Sequence, residues 1–218
     1  GLKSATLRKL SRYIDVTKSS ILFGRRGILV EGVAELLIIP ALAKHIVFKD
    51  DLDRWRVFKG ASLVSVEGVD FLPYVRLLLK KINGYSIFDR LVVITDKDPK
   101  VRGDRVYNIN RLASALDNKS AIDVFTNRIT LEHEIFIPQN ESLLRGAYLK
   151  CRPRSADKWD SYIKSHDPLE RANEFISLLK DSNVRKGEYA HYLVDLIEAG
   201  SDLIVPDYIE HAIKAVVE

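Results

Sequence analysis

The chain has 218 residues, of which 46% are hydrophobic and 29% charged, a balance typical of a globular protein with a sizeable core. Its single cysteine, Cys151, excludes an internal disulfide and a multi-cysteine metal site, and no apolar run is long enough to span a membrane. The net charge of +4 is compatible with nucleic-acid binding but does not require it. We expect a cytoplasmic protein without a membrane anchor. The lack of methionine indicates a piece of a larger parent protein.

Strands and helices are predicted to alternate through the first two thirds of the chain. A helix over 4–23 comes first, and Pro40 predicts a kink or an early end in the apolar helix that follows the first strand. Four such alternations favour a mostly parallel sheet with right-handed crossovers. The predicted strands are 28–30, 62–66, 91–94 and 122–125, and helices are predicted near 33–43, 71–82 and 108–116.

Only helices are predicted after Pro138. Their segments are 141–150, 155–164, 168–180, 186–199 and 206–217. We therefore expect an α/β protein whose sheet has flanking helices, a helical insertion and a C-terminal helical part. The predicted divisions are an N-terminal helical lead-in (1–27), a catalytic core (28–139), a helical insertion (140–182) and C-terminal helices that complete the core region (183–218).

Acidic residues follow two of the apolar strands directly. Glu31 ends the first strand, and Glu35 lies one helical turn further on. Asp96 and Asp98 follow the strand 91–94, and residues i and i+2 of an extended chain point the same way. Ligand sites in open α/β sheets form at the carboxyl ends of strands. Carboxylates without a His or Cys cluster favour Mg²⁺ or Mn²⁺ over zinc, so the pattern predicts a site for hard cations.

A second copy of the Val-Glu-Gly-Val sequence provides an internal comparison. Glu67 occupies the place of Glu31 in this copy, but Asp70 comes one position too early to match Glu35. We interpret the second copy as a structural loop, with Asp70 as a helix-start acid.

The pattern Glu31-Gly32-x-x-Glu35 followed by Asp96-x-Asp98 resembles the TOPRIM domain, which topoisomerases, primases and OLD-family (overcoming lysogenization defect) nucleases share. Flanking stretches narrow the resemblance to the OLD nucleases. They are residues 12–32, Thr130-Leu131-Glu132 after the fourth strand, and 186–190 at the start of a late helix.

The resemblance implies a Rossmann-like TOPRIM fold and a DNA endonuclease that uses two Mg²⁺ or Mn²⁺ ions. Lys186 would neutralise charge on the scissile phosphate, and Thr130 stands where a small hydroxyl residue commonly precedes the last acid, as a weaker metal ligand. The implied metal ligands and catalytic acids are Glu31, Glu35, Asp96, Asp98 and Glu132.

The partners implied by the resemblance are DNA and an N-terminal ABC-type ATPase domain in the parent protein. No Walker motif is present in this sequence, so ATP would act only through that separate domain. A homo-oligomer could form through the same domain.

Residues 145–164, called the basic tract below, combine cations with aromatic side chains. Such a combination suits nucleic acid, because cations track phosphates and aromatic rings stack on bases. The alternative is a solvated helix pair whose aromatic residues belong to the core. The candidate DNA-binding residues are Arg145, Lys150, Arg152, Arg154 and Lys158.

Three other functions compete with the nuclease. The first is a TOPRIM strand-passage or primase module, and the second is a non-catalytic DNA-binding or assembly domain whose acids are structural. A phosphatase with Asp96 as its covalent nucleophile would leave Glu31 and Glu35 unexplained.

Overall fold

The computed structural model describes residues 24–67, 70–97 and 104–218. The predicted helix 4–23, nearly all of the lead-in and Asp98 lie outside these residues. The strands are β1 (Arg26–Val30), β2 (Ser62–Ser65), β3 (Arg90–Thr95) and β4 (Ile122–Thr126). The helices are α1 (Val33–Leu42), α2 (Leu52–Lys59), α3 (Leu72–Leu79), α4 (Arg105–Ala115), α5 (Leu131–Ile135), α6 (Glu141–Cys151), α7 (Ala156–Tyr162), α8 (Pro168–Asp181), α9 (Lys186–Glu198) and α10 (Asp207–Ala215).

The four strands form one parallel sheet in the order β2-β1-β3-β4. In its register Gly27 lies beside both Ser62 and Leu91, and Leu91 lies beside Ile122. The α/β class with flanking helices is therefore confirmed. Because all four strands run the same way, the residues that follow β1, β3 and β4 meet at one edge of the sheet.

Alternating side chains of the strands contribute to two hydrophobic layers. Ile28, Val30, Val92 and Ile94 belong to a large cluster that includes buried residues of α1, α6, α8, α9 and α10. Leu29, Val64, Leu91 and Val93 belong to a smaller cluster with α3 and α4. The predicted insertion shares the large cluster with the sheet. The proposed division of the chain into core, insertion and C-terminal part stays a prediction.

Two helices differ by three residues at one end from their predicted bounds. Helix α3 ends at Leu79, three residues early, because Lys80 is extended and Asn83 and Gly84 take the positive φ angles of a tight turn. Helix α4 begins at Arg105, three residues early, because the Asp104 carboxylate accepts the Tyr107 N–H at 3.1 Å and caps the helix.

Helix α2 was not predicted, although its apolar residues are spaced three apart. Asp51 caps it by accepting the Arg54 N–H at 3.0 Å, and Phe58 is buried. Helix α1 runs through Pro40 to Leu42 and continues as a π-helical turn over Ala43–Val47, so the early end predicted as one effect of Pro40 is wrong. Within the described residues, no helix is long and apolar enough to cross a membrane.

Candidate active site

The candidate site lies at the carboxyl edge of the sheet. Glu31 follows β1 directly, Asp96 follows β3, Glu35 lies in the first turn of α1, and Glu132 lies in α5 after β4. These carboxylates lie close enough to shift one another's pKa. The charges of Glu132 and Asp96 raise the pKa of Glu35, and the charges of Glu31 and Glu132 raise the pKa of Asp96. The structure thus brings together four of the five predicted acids, and the fifth, Asp98, lies outside the described residues.

One oxygen of Glu31 holds three hydrogen bonds. Its Oε1 accepts from Thr95 Oγ1 at 2.5 Å, from the Asp96 backbone N–H at 2.8 Å and from Arg105 Nη1 at 2.6 Å. Neither Thr95 nor Arg105 was predicted to belong to the site. Thr95 could have been suspected from its place next to Asp96, but no local pattern links Arg105 to Glu31, 74 positions earlier.

A buried amide holds Asp96 in a similar way. The Asn127 Nδ2 donates to Asp96 Oδ1, and its own Oδ1 accepts the Lys97 N–H at 3.4 Å. Burial raises the pKa of Asp96 to about 6 despite the Asn127 hydrogen bond, and the charge of Glu31 adds to the rise. Asn127 was not predicted to belong to the site, although it directly follows β4 and its place at the same edge of the sheet is a signal in the sequence.

Lys186 pairs with Glu132 across 54 positions of sequence. Its Nζ lies 3.1 Å from both carboxylate oxygens, and the Glu132 side chain is only 7% exposed while that of Lys186 is 64% exposed. Gly187 allows the start of α9 to pack closely against the start of α1, because a Cβ at position 187 would lie only 3.3 Å from Val33 Cγ1. Folding therefore delivers Lys186 to the acids, although its catalytic role stays a prediction.

The pKa values of Lys186 and Glu35 are both raised, but for different reasons. Desolvation lowers the pKa of Lys186, but the carboxylates of Glu132, Glu35 and Asp96 outweigh this effect and raise the pKa above its ordinary value. Burial raises the pKa of Glu35, a backbone hydrogen bond opposes the rise, and the charges of Glu132 and Asp96 add to it. Four carboxylates share the site with two cations, Lys186 and Arg105, so the site carries an excess of negative charge.

Helix α5 presents Glu132 in a capped first turn. Thr130 Oγ1 accepts the His133 N–H at 3.3 Å, so the hydroxyl serves as the helix cap. A metal-ligand role for Thr130 stays a prediction. His133 is buried, and burial lowers the pKa of its imidazole, which favours the neutral form.

The donor set suits a hard divalent ion. Across residues 24–67, 70–97 and 104–218, no three His, Cys, Asp or Glu side chains converge closely enough to form a metal site as they stand. The donors are carboxylate oxygens, which Mg²⁺ and Mn²⁺ prefer. The hydrogen bonds from described residues go to Oε1 of Glu31 and to Oδ1 of Asp96. Oε2 of Glu31 and Oδ2 of Asp96 accept none from these residues. The residues therefore fit a divalent ion in chemistry and charge.

Replacing Asp96 by Asn should stabilise the metal-free protein. The folded state raises the pKa of Asp96 from 3.8 to about 6, so keeping this partly exposed carboxylate charged costs about 1–2 kcal/mol of folding free energy above that pH, after a discount for solvent screening. In EDTA at about pH 8, Asp96→Asn should raise the free energy of unfolding by that amount. The gain should shrink as the pH falls through about 6, where the folded protein protonates Asp96. Urea denaturation at several pH values measures it.

Glu67→Gln is the matched control for this prediction. Glu67 lies two positions after the end of β2, whereas Asp96 follows β3 directly, and the Glu67 side chain is exposed. Its substitution should leave the unfolding free energy nearly unchanged at every pH. An Asp96→Asn protein less stable than wild type at pH 8 would contradict the cause given for the raised pKa.

Several cations of the basic tract already have partners within the protein. Arg145 pairs with Asp160, and Lys158 donates to the Asp181 carbonyl at 2.9 Å. Arg152 donates to the carbonyls of Ser182 and Asn183. DNA binding by the five predicted cations stays a prediction, but these contacts give three of them a structural task.

The aromatic residues of the basic tract belong mainly to the core. Tyr148 and Trp159 are buried, with ring centroids 5.5 Å apart, and Trp159 also contacts Phe175. Tyr162 donates through its hydroxyl to Asp181 Oδ2 at 2.5 Å. The structure therefore favours the core interpretation for Tyr148 and Trp159 over base stacking.

Substitutions should separate the structural and DNA-binding roles of the tract. Arg152→Ala should lower the free energy of unfolding by about 1–2 kcal/mol, because it removes the charged donor of hydrogen bonds to two carbonyls, one of which is exposed to water. Replacing the exposed Lys150 and Arg154 together by Ala should leave stability unchanged and flatten the salt dependence of DNA binding. Denaturation and binding titrations at several salt concentrations measure the two effects. An unchanged salt slope would remove Lys150 and Arg154 from the DNA interface.

The fold and the site define an α/β domain with a parallel sheet and acidic residues at the carboxyl edge of that sheet. Residues 22–98 match the family model of the "Overcoming lysogenization defect protein-like, TOPRIM domain". The resemblance inferred from the acid pattern is therefore confirmed for this part of the chain. A search of curated protein sequences found no match.

Solved structures extend the similarity beyond residues 22–98. The chain is 27% identical to the C-terminal region of the Burkholderia pseudomallei OLD protein, with a TM-score of 0.57 over 89% of this chain and 97% of that one. It is 26% identical to the C-terminal region of the Xanthomonas campestris pv. campestris OLD protein, with a TM-score of 0.60 over 89% of this chain and 95% of that one. The helical part after residue 139 is thus included in the similarity.

Proposed function

We propose that this chain is a metal-dependent DNA endonuclease domain that hydrolyses phosphodiester bonds with two Mg²⁺ or Mn²⁺ ions. The observation that carries the proposal is the gathering of Glu31, Glu35, Asp96 and Glu132 at one sheet edge, together with Lys186. Such a concentration of carboxylates would repel DNA unless cations were bound among them. The similarity of the chain to OLD C-terminal regions and its OLD-like TOPRIM match support the same function.

Each side chain of the site has a distinct task in this proposal. Glu31 and Asp96 would hold ions through their open oxygens, Oε2 and Oδ2, with Glu35, Glu132 and the predicted Asp98 completing the ligand set. Bound divalent ions supply an activated water and neutralise charge on the phosphate. Lys186 stays protonated beside its carboxylate neighbours, and its exposed ammonium can meet the scissile phosphate.

The proposed partners follow from the family resemblance. DNA is the substrate, and an N-terminal ABC-type ATPase domain would precede this region in the parent protein. The relatives in the comparison are described as C-terminal regions of OLD proteins, which supports such a parent. A homo-oligomer would form through the ATPase domain.

Incubation of supercoiled plasmid with the chain tests the proposal. We expect nicked or linear product with Mg²⁺ or Mn²⁺ and none with EDTA. Absence of cleavage with either ion, in a preparation that calorimetry shows to bind no divalent ion, would reject the proposed function.

One observation favours a non-catalytic assembly or DNA-binding module as the second candidate. The acids already have protein partners: Arg105 for Glu31, Asn127 for Asp96 and Lys186 for Glu132. In that case DNA would bind without metal, and EDTA would leave binding unchanged. The plasmid incubation, repeated as a binding assay with and without EDTA, separates the two candidates.

A further inference from the structure

Arg105 makes a buried contact that the proposed ligand set does not use. It is the first residue of α4, and its side chain is only 11% exposed. Its Nη1 lies 2.6 Å from Glu31 Oε1 and 2.9 Å from Thr95 Oγ1, and it also donates to the Asp96 carbonyl at 3.4 Å. One nitrogen therefore joins the ends of β1 and β3 beneath the candidate site.

The geometry of this contact differs from that of an ion pair built for stability. Guanidinium groups commonly bind carboxylates through two parallel hydrogen bonds, whereas Arg105 reaches Glu31 through one nitrogen. Its Nε is also buried without a hydrogen-bond partner among the described residues. A buried ion pair is weak evidence for stability, and here one of its donors is left unused. The contact is better explained by its effect on Glu31.

That effect is to leave only one oxygen of Glu31 open. Oε1 receives three donors, from Thr95, the Asp96 backbone and Arg105, which exceeds the two lone pairs of a carboxylate oxygen. A metal ion could therefore approach Glu31 only through Oε2, and binding through both oxygens is blocked.

We propose that Arg105 is a positioning residue that, with Thr95, makes Glu31 a one-oxygen ligand and so selects Mg²⁺ over Ca²⁺. The proposal rests on the proposed function in taking Glu31 as a metal ligand. Mg²⁺ requires near-octahedral geometry and usually takes few carboxylate oxygens, whereas Ca²⁺ takes six to eight oxygens and accepts two-oxygen carboxylates. Because Oε1 is held by hydrogen bonds from the protein, Glu31 cannot offer Ca²⁺ its second carboxylate oxygen.

Metal selectivity measured without DNA tests this role. Dissociation constants for Mg²⁺ and Ca²⁺ would be measured by calorimetry on the chain for wild type, Arg105→Met and Arg105→Lys. Arg105→Met should shift the ratio of the two constants toward Ca²⁺ by about 10-fold, the lower end of effects seen when partners of metal ligands are removed. Arg105→Lys should recover part of the preference, because an ammonium can still donate to Oε1.

Two further variants make the result decisive. Thr95→Val removes one donor to Oε1 in a side chain of similar shape, so it should shift the ratio in the same direction if Arg105→Met fails to fold. Arg111→Met, on the exposed face of α4, should leave the ratio unchanged. Suppose that wild type binds the ions and that Thr95→Val and every folded Arg105 variant show the wild-type ratio. That result would overturn the positioning role of Arg105 and leave the metal-dependent function standing. A wild type that binds neither ion would overturn the metal-dependent function and this role together.

Discussion

Asp96→Asn and Glu31→Gln should each reduce plasmid cleavage by at least about 10³-fold at saturating Mn²⁺. Both substitutions keep the shape of the side chain and remove the charge that would hold a divalent ion. Asn can still accept from Asn127, and Gln can still accept from Arg105 and Thr95, so the contacts at the sheet edge survive. Initial rates of supercoiled-plasmid loss measure the effect.

The stability of these variants separates lost chemistry from lost structure. Asp96→Asn should unfold at higher denaturant concentration than wild type in EDTA while losing cleavage, a combination that misfolding does not produce. Glu67→Gln, two positions after the end of β2, should cleave as wild type does. A folded Asp96→Asn protein with full cleavage would remove Asp96 from the proposed site.

Lys186→Ala should lower the cleavage rate by about 10²–10³-fold, because a cation at the scissile phosphate acts chiefly on the transition state. Lys186→Arg should recover only part of the rate, since a planar guanidinium places its charge differently. Single-turnover rates at saturating Mn²⁺ for these two variants measure the contribution of the ammonium.

Lys180→Ala is the control for Lys186. Lys180 lies in the last turn of α8, and its exposed side chain should leave the rate unchanged when it is removed. Lys186→Ala also removes the partner of the buried Glu132, so we expect a loss of stability in EDTA that saturating Mn²⁺ reduces. Equal cleavage rates in wild type, Lys186→Ala and Lys180→Ala would make Lys186 a structural partner of Glu132.

The fold class was predictable because its signals are local. Each of the four predicted strand segments forms a strand of four to six residues, and alternation with helices leaves a parallel sheet as the expected arrangement. Acids placed directly after β1 and β3 then had to share an edge. The internal comparison also held for Asp70, whose carboxylate accepts the Leu72 N–H at 3.2 Å at the start of α3.

Other features were decided by contacts between distant residues. The helical periodicity of the sequence does not distinguish core from base-stacking roles for Tyr148 and Trp159, because a helix with both apolar and charged residues is compatible with either role. Their burial against Phe175 in α8 made the choice. The carbonyl acceptors of Arg152 likewise could not be predicted from the sequence, because Ser182 and Asn183 lie 30 and 31 positions away from it.

The sequence by itself determined a parallel α/β domain with Glu31, Glu35 and Asp96 at one sheet edge, because strand ends and helix starts are fixed by local pattern. Tertiary structure alone decided which side chains hold those acids. Arg105 reaches Glu31 across 74 positions, and Asn127 reaches Asp96 across 31. Such contacts depend on how the crossovers dock the helices and align the strands, and no periodicity in either segment records that geometry.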